Sequence, residues 1–94
     1  MIKKTAAIVV TYNRKELLLQ NIEALLKQTV RNQLEIVIID NASTDGTFES
    51  IKRYVDTGEI IYINTGSNLG GAGGFQYGIR YAAEHDYELS LIHI

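Results

Sequence analysis

Ala6-Ala7-Ile8-Val9-Val10-Thr11-Tyr12-Asn13-Arg14 is the stretch on which the fold turns. Its apolar residues run without alternation straight into polar turn chemistry. A strand wetted on one face alternates, whereas a strand covered on both faces is continuously apolar, and such strands belong to parallel sheets flanked by helices. The pattern returns at Glu35-Ile36-Val37-Ile38-Ile39, ending at Asp40, and in shorter form at Ile60-Ile61-Tyr62-Ile63.

The intervening segments read as helices. Asn13 stands at an N-cap position with Glu16 as its capping-box partner, and Leu18, Ile22, Leu25 and Leu26 follow at helical spacing, predicting a helix over 14–28. The turn residues Asn41-Ala42-Ser43-Thr44-Asp45-Gly46 lead into a short helix over 47–54, with Ser43 and Asp45 as its caps. A glycine-rich connector over 66–74 precedes a helix over 74–84 whose apolar stripe is Phe75, Ile79, Ala82 and Ala83. Leu89 to Ile94 reads either as a fourth strand or as a tail. Strands alternating with helices over short connections predict a parallel α/β sheet in three layers, Rossmann-like, joined by right-handed crossovers.

Composition removes several function classes. The chain has 94 residues, sized for one domain, and a net charge of −2 with no basic stripe, which disfavours nucleic acid. It has no cysteine, hence no disulfide or thiolate metal site. No apolar run reaches the length of a membrane span, and the apolar stretch behind Lys3 and Lys4 is too short for a signal peptide, so a cytoplasmic setting is expected. Asn41-Ala42-Ser43 matches a glycosylation acceptor that this setting makes a chance match.

Ligands of parallel sheets bind beyond the carboxyl ends of the strands, so the loops after each strand carry the functional expectation. In the first, Tyr12 offers a flat face to a nucleobase and Thr11 hydroxyl or backbone hydrogen bonds, or else Tyr12 packs on the sheet edge and Asn13 merely caps the helix. In the second, Asp40 can accept from a base imino N–H or a ribose hydroxyl, or simply form an Asx-turn. Asn41, Ser43, Asp45 and Gly46 imitate the start of a calcium loop, but Lys52 stands where its bidentate carboxylate belongs. In the third, Asn68-Leu69-Gly70-Gly71-Ala72-Gly73-Gly74 allows backbone N–H groups at a helix start to approach a diphosphate, or else permits a close helix–sheet contact. The dinucleotide fingerprint fails because Gln76 occupies its last glycine position, and the Walker pattern lacks its Gly-Lys-Ser/Thr. His85, among Glu84 and Asp86, reads as surface at a helix end, and Tyr77 and Tyr81 as packing.

Together, Ile8-Val9-Val10-Thr11-Tyr12-Asn13-Arg14, Ile38-Ile39-Asp40-Asn41-Ala42-Ser43-Thr44-Asp45-Gly46-Thr47 and Asn68-Leu69-Gly70-Gly71-Ala72-Gly73-Gly74-Phe75 resemble glycosyltransferase family 2, which has the GT-A fold. The third segment is most similar to its rhamnosyl- and galactofuranosyltransferase-like branch. The resemblance spans Lys4 to Glu88. It implies a nucleotide-diphospho-sugar donor bound by Thr11, Tyr12, Asn13, Asp40, Asn68, Gly71, Gly73 and Gly74, and a glycan or lipid-linked glycan acceptor. It further implies an inverting transfer in polysaccharide or cell-envelope glycan synthesis, at the inner face of the membrane in the full-length protein.

The family's divalent metal, magnesium or manganese, is held by an Asp-x-Asp element after the next strand, and a later acidic residue removes the acceptor's proton. Neither occurs in this sequence, which has no carboxylate after Glu88. No catalytic and no metal-binding residue is therefore expected in these 94 residues, and by themselves they are expected to be inactive. Residues 1–88 are read as the nucleotide-sugar-binding part of a truncated GT-A domain. Residues 89–94 match one reading frame of a transposon-end sequencing adapter, leaving a non-native tail and a genuine strand as open readings. The competing functions are a nucleotide-binding α/β module without catalysis and a small α/β interaction domain.

Overall fold

The computed structural model describes residues 5–28 and 34–93, so Lys4 and Ile94 of the readings above lie outside the described residues. Four strands and three helices alternate: β1 (Thr5–Thr11), α1 (Lys15–Gln28), β2 (Leu34–Asp40), α2 (Thr47–Asp56), β3 (Ile60–Asn64), α3 (Gly70–Glu84) and β4 (Glu88–His93). The sheet is parallel throughout, in the order β3-β2-β1-β4.

Sheet alternation explains how the apolar runs are used. Val9, Ile36, Ile38 and Ile60 lie on one face, under Leu18 and Ile22 of α1 and Ile51 of α2. Ala6, Ile8, Val10, Val37 and Ile39 lie on the other, with Ala82 of α3. Both faces of β1 and β2 are thus covered, as their unbroken apolar composition requires. With α1 and α2 on one face and α3 on the other, the three layers are complete.

The last helix differs from its reading. It begins at Gly70 rather than near Gly74, so the glycines form its first turns rather than a connector. Its buried face is set by small residues: an added Cβ at Gly74 would lie 2.5 Å from Val10 Cγ1, and one at Gly78 2.1 Å from Ile8 Cγ2. Gly74, Gly78 and Ala82 recur every fourth residue and let α3 descend onto β1. The expected stripe is corrected accordingly: Phe75 is partly buried and Ala82 fully buried, but Ile79 is 40% exposed and Ala83 is also exposed. Tyr77, expected to pack, is 46% exposed, while Tyr81 stacks on His85 with ring centroids 4.1 Å apart. A hydrophobicity count gives glycine no weight, although here its lack of a side chain is what packs.

Capping at the starts of α1 and α2 also departs from the reading. The Arg14 carbonyl accepts the Leu18 N–H at 2.9 Å, which places the N-cap at Arg14. Asn13 is left-handed, with φ 51°, and its side-chain oxygen accepts the Thr44 N–H at 2.7 Å instead of closing a capping box with Glu16. Ser43 turns back to the β1–α1 corner, and Asp45 reaches both that corner and the Thr47 hydroxyl at the start of α2 without capping an α2 backbone N–H. Asp45 Oδ2 accepts the Lys15 N–H at 3.2 Å, and Ser43 Oγ accepts the Asn13 N–H at 2.9 Å. The α2 N-cap is Gly46, which makes no side-chain cap bond.

Asp45 also accepts the Thr47 hydroxyl, and that bond, foremost among its surroundings, holds its carboxyl below the ordinary 3.8. A depressed folded value means that the contribution is complete above the unfolded value and lost as pH falls through the lower folded one. Asp45→Asn is therefore expected to lower the urea midpoint at neutral pH. The gap to the parent should close as pH drops below 3.8. A gap that stays constant down the acid limb would show that the Asp45 charge contributes nothing.

Candidate functional site at the carboxyl ends of the strands

The strand order reverses between β1 and β4, because α1 and α2 carry the chain one way across the sheet and α3 carries it back over the other face. A crevice beyond the strand ends is the usual ligand position where parallel order reverses. The three loops singled out above meet there.

Asp40 is the polar centre. It ends β2, pairs in register with Thr11 and is 1% exposed. Its Oδ1 accepts the Ser43 N–H at 2.9 Å, closing a turn through Ala42, which is left-handed at φ 64°. Its Oδ2 accepts the Tyr62 hydroxyl at 2.6 Å. Burial is the main cause of an upward displacement of the Tyr62 phenol's titration, followed by that bond to the carboxylate. Asp40 thus bonds the backbone three residues on rather than the two of an Asx-turn, and the carboxylate has a second partner in Tyr62. The available signal was a lone tyrosine in an apolar strand, whose hydroxyl needs a partner once the ring is covered.

Thr11 leaves the sheet on the same face as Asp40, since register partners in a parallel pair point the same way. It is 1% exposed, and its Oγ1 is the buried side-chain oxygen with no hydrogen-bond partner among the described residues. Tyr12, next in the chain, is 41% exposed. Asn13 joins this loop to the second through its bonds to Ser43 and Thr44.

Asn41 ties in the third loop on the other face. It is 2% exposed; its Nδ2 donates to the Gly70 carbonyl at 3.0 Å, and its Oδ1 accepts the Thr65 hydroxyl at 3.1 Å. A side chain so enclosed is a poor glycan acceptor, consistent with the chance reading of its sequon. Asn68 accepts the Gly70 N–H on Oδ1 at 3.1 Å, so it braces the start of α3. Gly71 and Gly73 lie within the first turn, and Gly74 touches Val10 and the Asn41 amide. For Gly74 the close-approach reading of the glycines holds.

Two cavities flank this region. One of about 390 Å³ is lined by Asn13, Arg14, Lys15, Gln20 and Asp45, among others, and one of about 310 Å³ by Leu69, Gly73, Gln76, Tyr77 and Arg80. Asp40 lines neither, being covered by Tyr62 and Ser43. Among the described residues no three His, Asp or Glu side chains converge as metal ligands. The residues present therefore do not fit a divalent metal, and no step below passes through one. No described helix is long and apolar enough to cross a membrane.

A parallel sheet with reversed strand order and polar loops gathered at its carboxyl edge is an α/β architecture of the Rossmann-like kind. The family profile for glycosyl transferase family 2 matches residues 6–87, and the chain belongs to that family. It is 35% identical over 85 residues to galactofuranosyltransferase GlfT1 of Mycobacterium tuberculosis strain H37Rv, covering 87% of this chain and 27% of that protein. It is 35% identical over 75 residues to the Escherichia coli enzyme WfaP, a UDP-Glc:alpha-D-GlcNAc-diphosphoundecaprenol beta-1,3-glucosyltransferase, covering 80% of this chain and 29% of that protein.

Among solved structures, the Pyrobaculum calidifontis mannosyltransferase PcManGT in complex with GDP-Man and Mn2+ superposes with a TM-score of 0.77. It is 28% identical and is matched over 87% of this chain and 25% of that one. S. aureus TarS residues 1–349 in complex with UDP-GlcNAc shares the fold, with a TM-score of 0.73 at 20% identity over 96% of this chain and 26% of that one. The chain spans about a quarter of the length of these relatives.

Proposed function

We propose that these residues hold the nucleotide-sugar donor of an inverting glycosyltransferase. The carrying observation is that the three loops after successive parallel strands are tied into one edge beside the strand-order reversal, by the Asn13–Ser43, Asn13–Thr44 and Asn41–Gly70 bonds. Each residue then has a role its geometry suits. Tyr12, exposed at the end of β1, stacks on the base. Asp40 accepts from the base imino N–H or the ribose. Thr11 offers a buried hydroxyl that lacks a partner among the described residues, and such groups call for one. The first turn of α3, braced by Asn68, containing Gly71 and Gly73 and seated on the sheet by Gly74, presents N–H groups and a dipole end to the diphosphate. Asn13 fixes the geometry of the first two loops rather than touching donor.

In the whole protein the acceptor is a glycan or lipid-linked glycan, and the setting is the cytoplasmic face of the membrane. Proton removal from the acceptor and binding of magnesium or manganese fall to residues other than these. The 94 residues alone bind donor without transferring sugar, with residues 1–88 as the binding part. Residues 89–93 lie within β4 (Glu88–His93).

Calorimetric titration with uridine and thymidine diphosphates tests the proposal. Binding is expected, and Tyr12→Ala should weaken it roughly tenfold, the worth of one base–aromatic stack of about 1–3 kcal/mol. A folded chain that binds no nucleoside diphosphate, or binds equally well without Tyr12, favours the small interaction domain.

A further inference from the structure

The proposed base contact meets an obstacle in the geometry: the carboxylate meant to read the base is already engaged. Asp40 is 1% exposed with both oxygens accepting from inside the protein. The two engagements are not equivalent. The Ser43 N–H belongs to a backbone turn fixed by Ala42 and by the bonds that Asn13 makes to Ser43 and Thr44. The Tyr62 hydroxyl sits at the end of a long side chain on β3, the outermost strand on its side of the sheet, and is only partly buried. Its ring leans on Phe48 with centroids 4.9 Å apart, and Asn64 Nδ2 donates to the same hydroxyl at 3.4 Å. Oδ1 is therefore permanently occupied, whereas Oδ2 is held by a donor that can swing to solvent, where water satisfies it.

Resting on the donor-site reading above, we infer that the Tyr62 hydroxyl is an internal competitor for Asp40. It admits a nucleobase only if the base brings an N–H able to replace the phenol. Uracil, thymine and guanine carry a ring N–H beside a carbonyl and can make the exchange. Cytosine presents a lone pair at the equivalent nitrogen, so displacing Tyr62 for it would leave a buried carboxylate facing an acceptor, which is costly. No covalent bond changes; one hydrogen bond to Oδ2 replaces another. Tyr62 is thus a specificity-determining residue that acts through Asp40.

Titration of the 94-residue chain and its Tyr62→Phe variant with uridine and cytidine diphosphates tests the inference. Removing the competing donor is expected to tighten the uridine complex about threefold to tenfold, the net worth of one hydrogen bond, and to leave the cytidine complex within roughly twofold. A merely structural Tyr62 would shift both alike, and a Tyr62 that orients Asp40 would weaken uridine selectively; either result overturns the inference. A second readout uses the unsubstituted chain. With tyrosine Cζ labelled by carbon-13, the Tyr62 resonance should move on adding uridine diphosphate and stay in place with the cytidine compound, and a still resonance overturns the exchange. If the parent chain shows no preference for uridine over cytidine, the donor-site reading itself fails and this inference with it. If that preference is intact but Tyr62→Phe does not widen it, Tyr62 alone is wrongly assigned.

Discussion

Gly78→Val is expected to unfold the chain or cost it at least about 3 kcal/mol, the upper part of the range for overpacking a filled core. The added Cβ would stand 2.1 Å from Ile8 Cγ2 and 3.1 Å from Ile8 Cβ. Ile8 is 0% exposed and hemmed in by Val37 and Ile39, so its side chain has nowhere to turn. Helix α3 would have to rise off β1, which also strips cover from Val10. Valine in place of glycine gains a few tenths of a kcal/mol in helix propensity, far too little to compensate. Ala83→Val, on the exposed side of the same helix, is the control and should change stability by no more than about 0.5 kcal/mol. Urea unfolding followed by far-ultraviolet circular dichroism reads both. Equal midpoints for the two variants would mean that α3 does not approach the sheet as closely as described.

Asp40→Ala is expected to damage stability and binding together. It strands the Ser43 N–H beside a position that is 1% exposed and removes the acceptor of the Tyr62 hydroxyl. Hydrogen bonds to a charged group are worth about 1.5–3 kcal/mol each, so a loss on the order of 3 kcal/mol follows, a large share of the margin of a small domain. In the proposed role Asp40 also reads the base, so uridine diphosphate should bind at least tenfold more weakly under conditions that keep the variant folded, in keeping with one lost charged hydrogen bond. Titration at low temperature, with circular dichroism confirming the fold, separates the two effects. A folded Asp40→Ala chain with undiminished affinity leaves Asp40 purely architectural.

Much of this architecture is legible in the letters because continuous apolar runs have one economical use. Ala6 to Val10 and Ile36 to Ile39 can be dry only between two helical layers, and Leu18 and Ile22 at helical spacing supply one of them. The placement of Thr11, Asp40 and the glycines at strand ends follows from that. What sequence reading missed depends on contacts distant along the chain. Asn13 looked like a cap because Asn13 and Glu16 have capping-box spacing, but Thr44, 31 positions away, offers the Asn13 side chain a better-placed N–H. The α3 start reads as a connector because glycines usually break helices, yet the helix that Gly74 and Gly78 seat against Val10 and Ile8 extends back to Gly70. Tyr62 went unnoticed as a site residue because its neighbours are all aliphatic, and only strand register brings its hydroxyl to Asp40.

The reciprocal stitching of the first two corners has a consequence for biosynthesis. Helix α1 owes its opening N–H contact to Asp45, and the turn before it is fixed by Ser43 and Thr44, partners 30 to 31 positions downstream. On a ribosome that exports the chain from its amino end, the first helix emerges before the groups that complete its start. It should therefore remain frayed until β2 and its following turn clear the exit tunnel and dock, making consolidation of the first βαβ unit a single concerted event rather than a stepwise one.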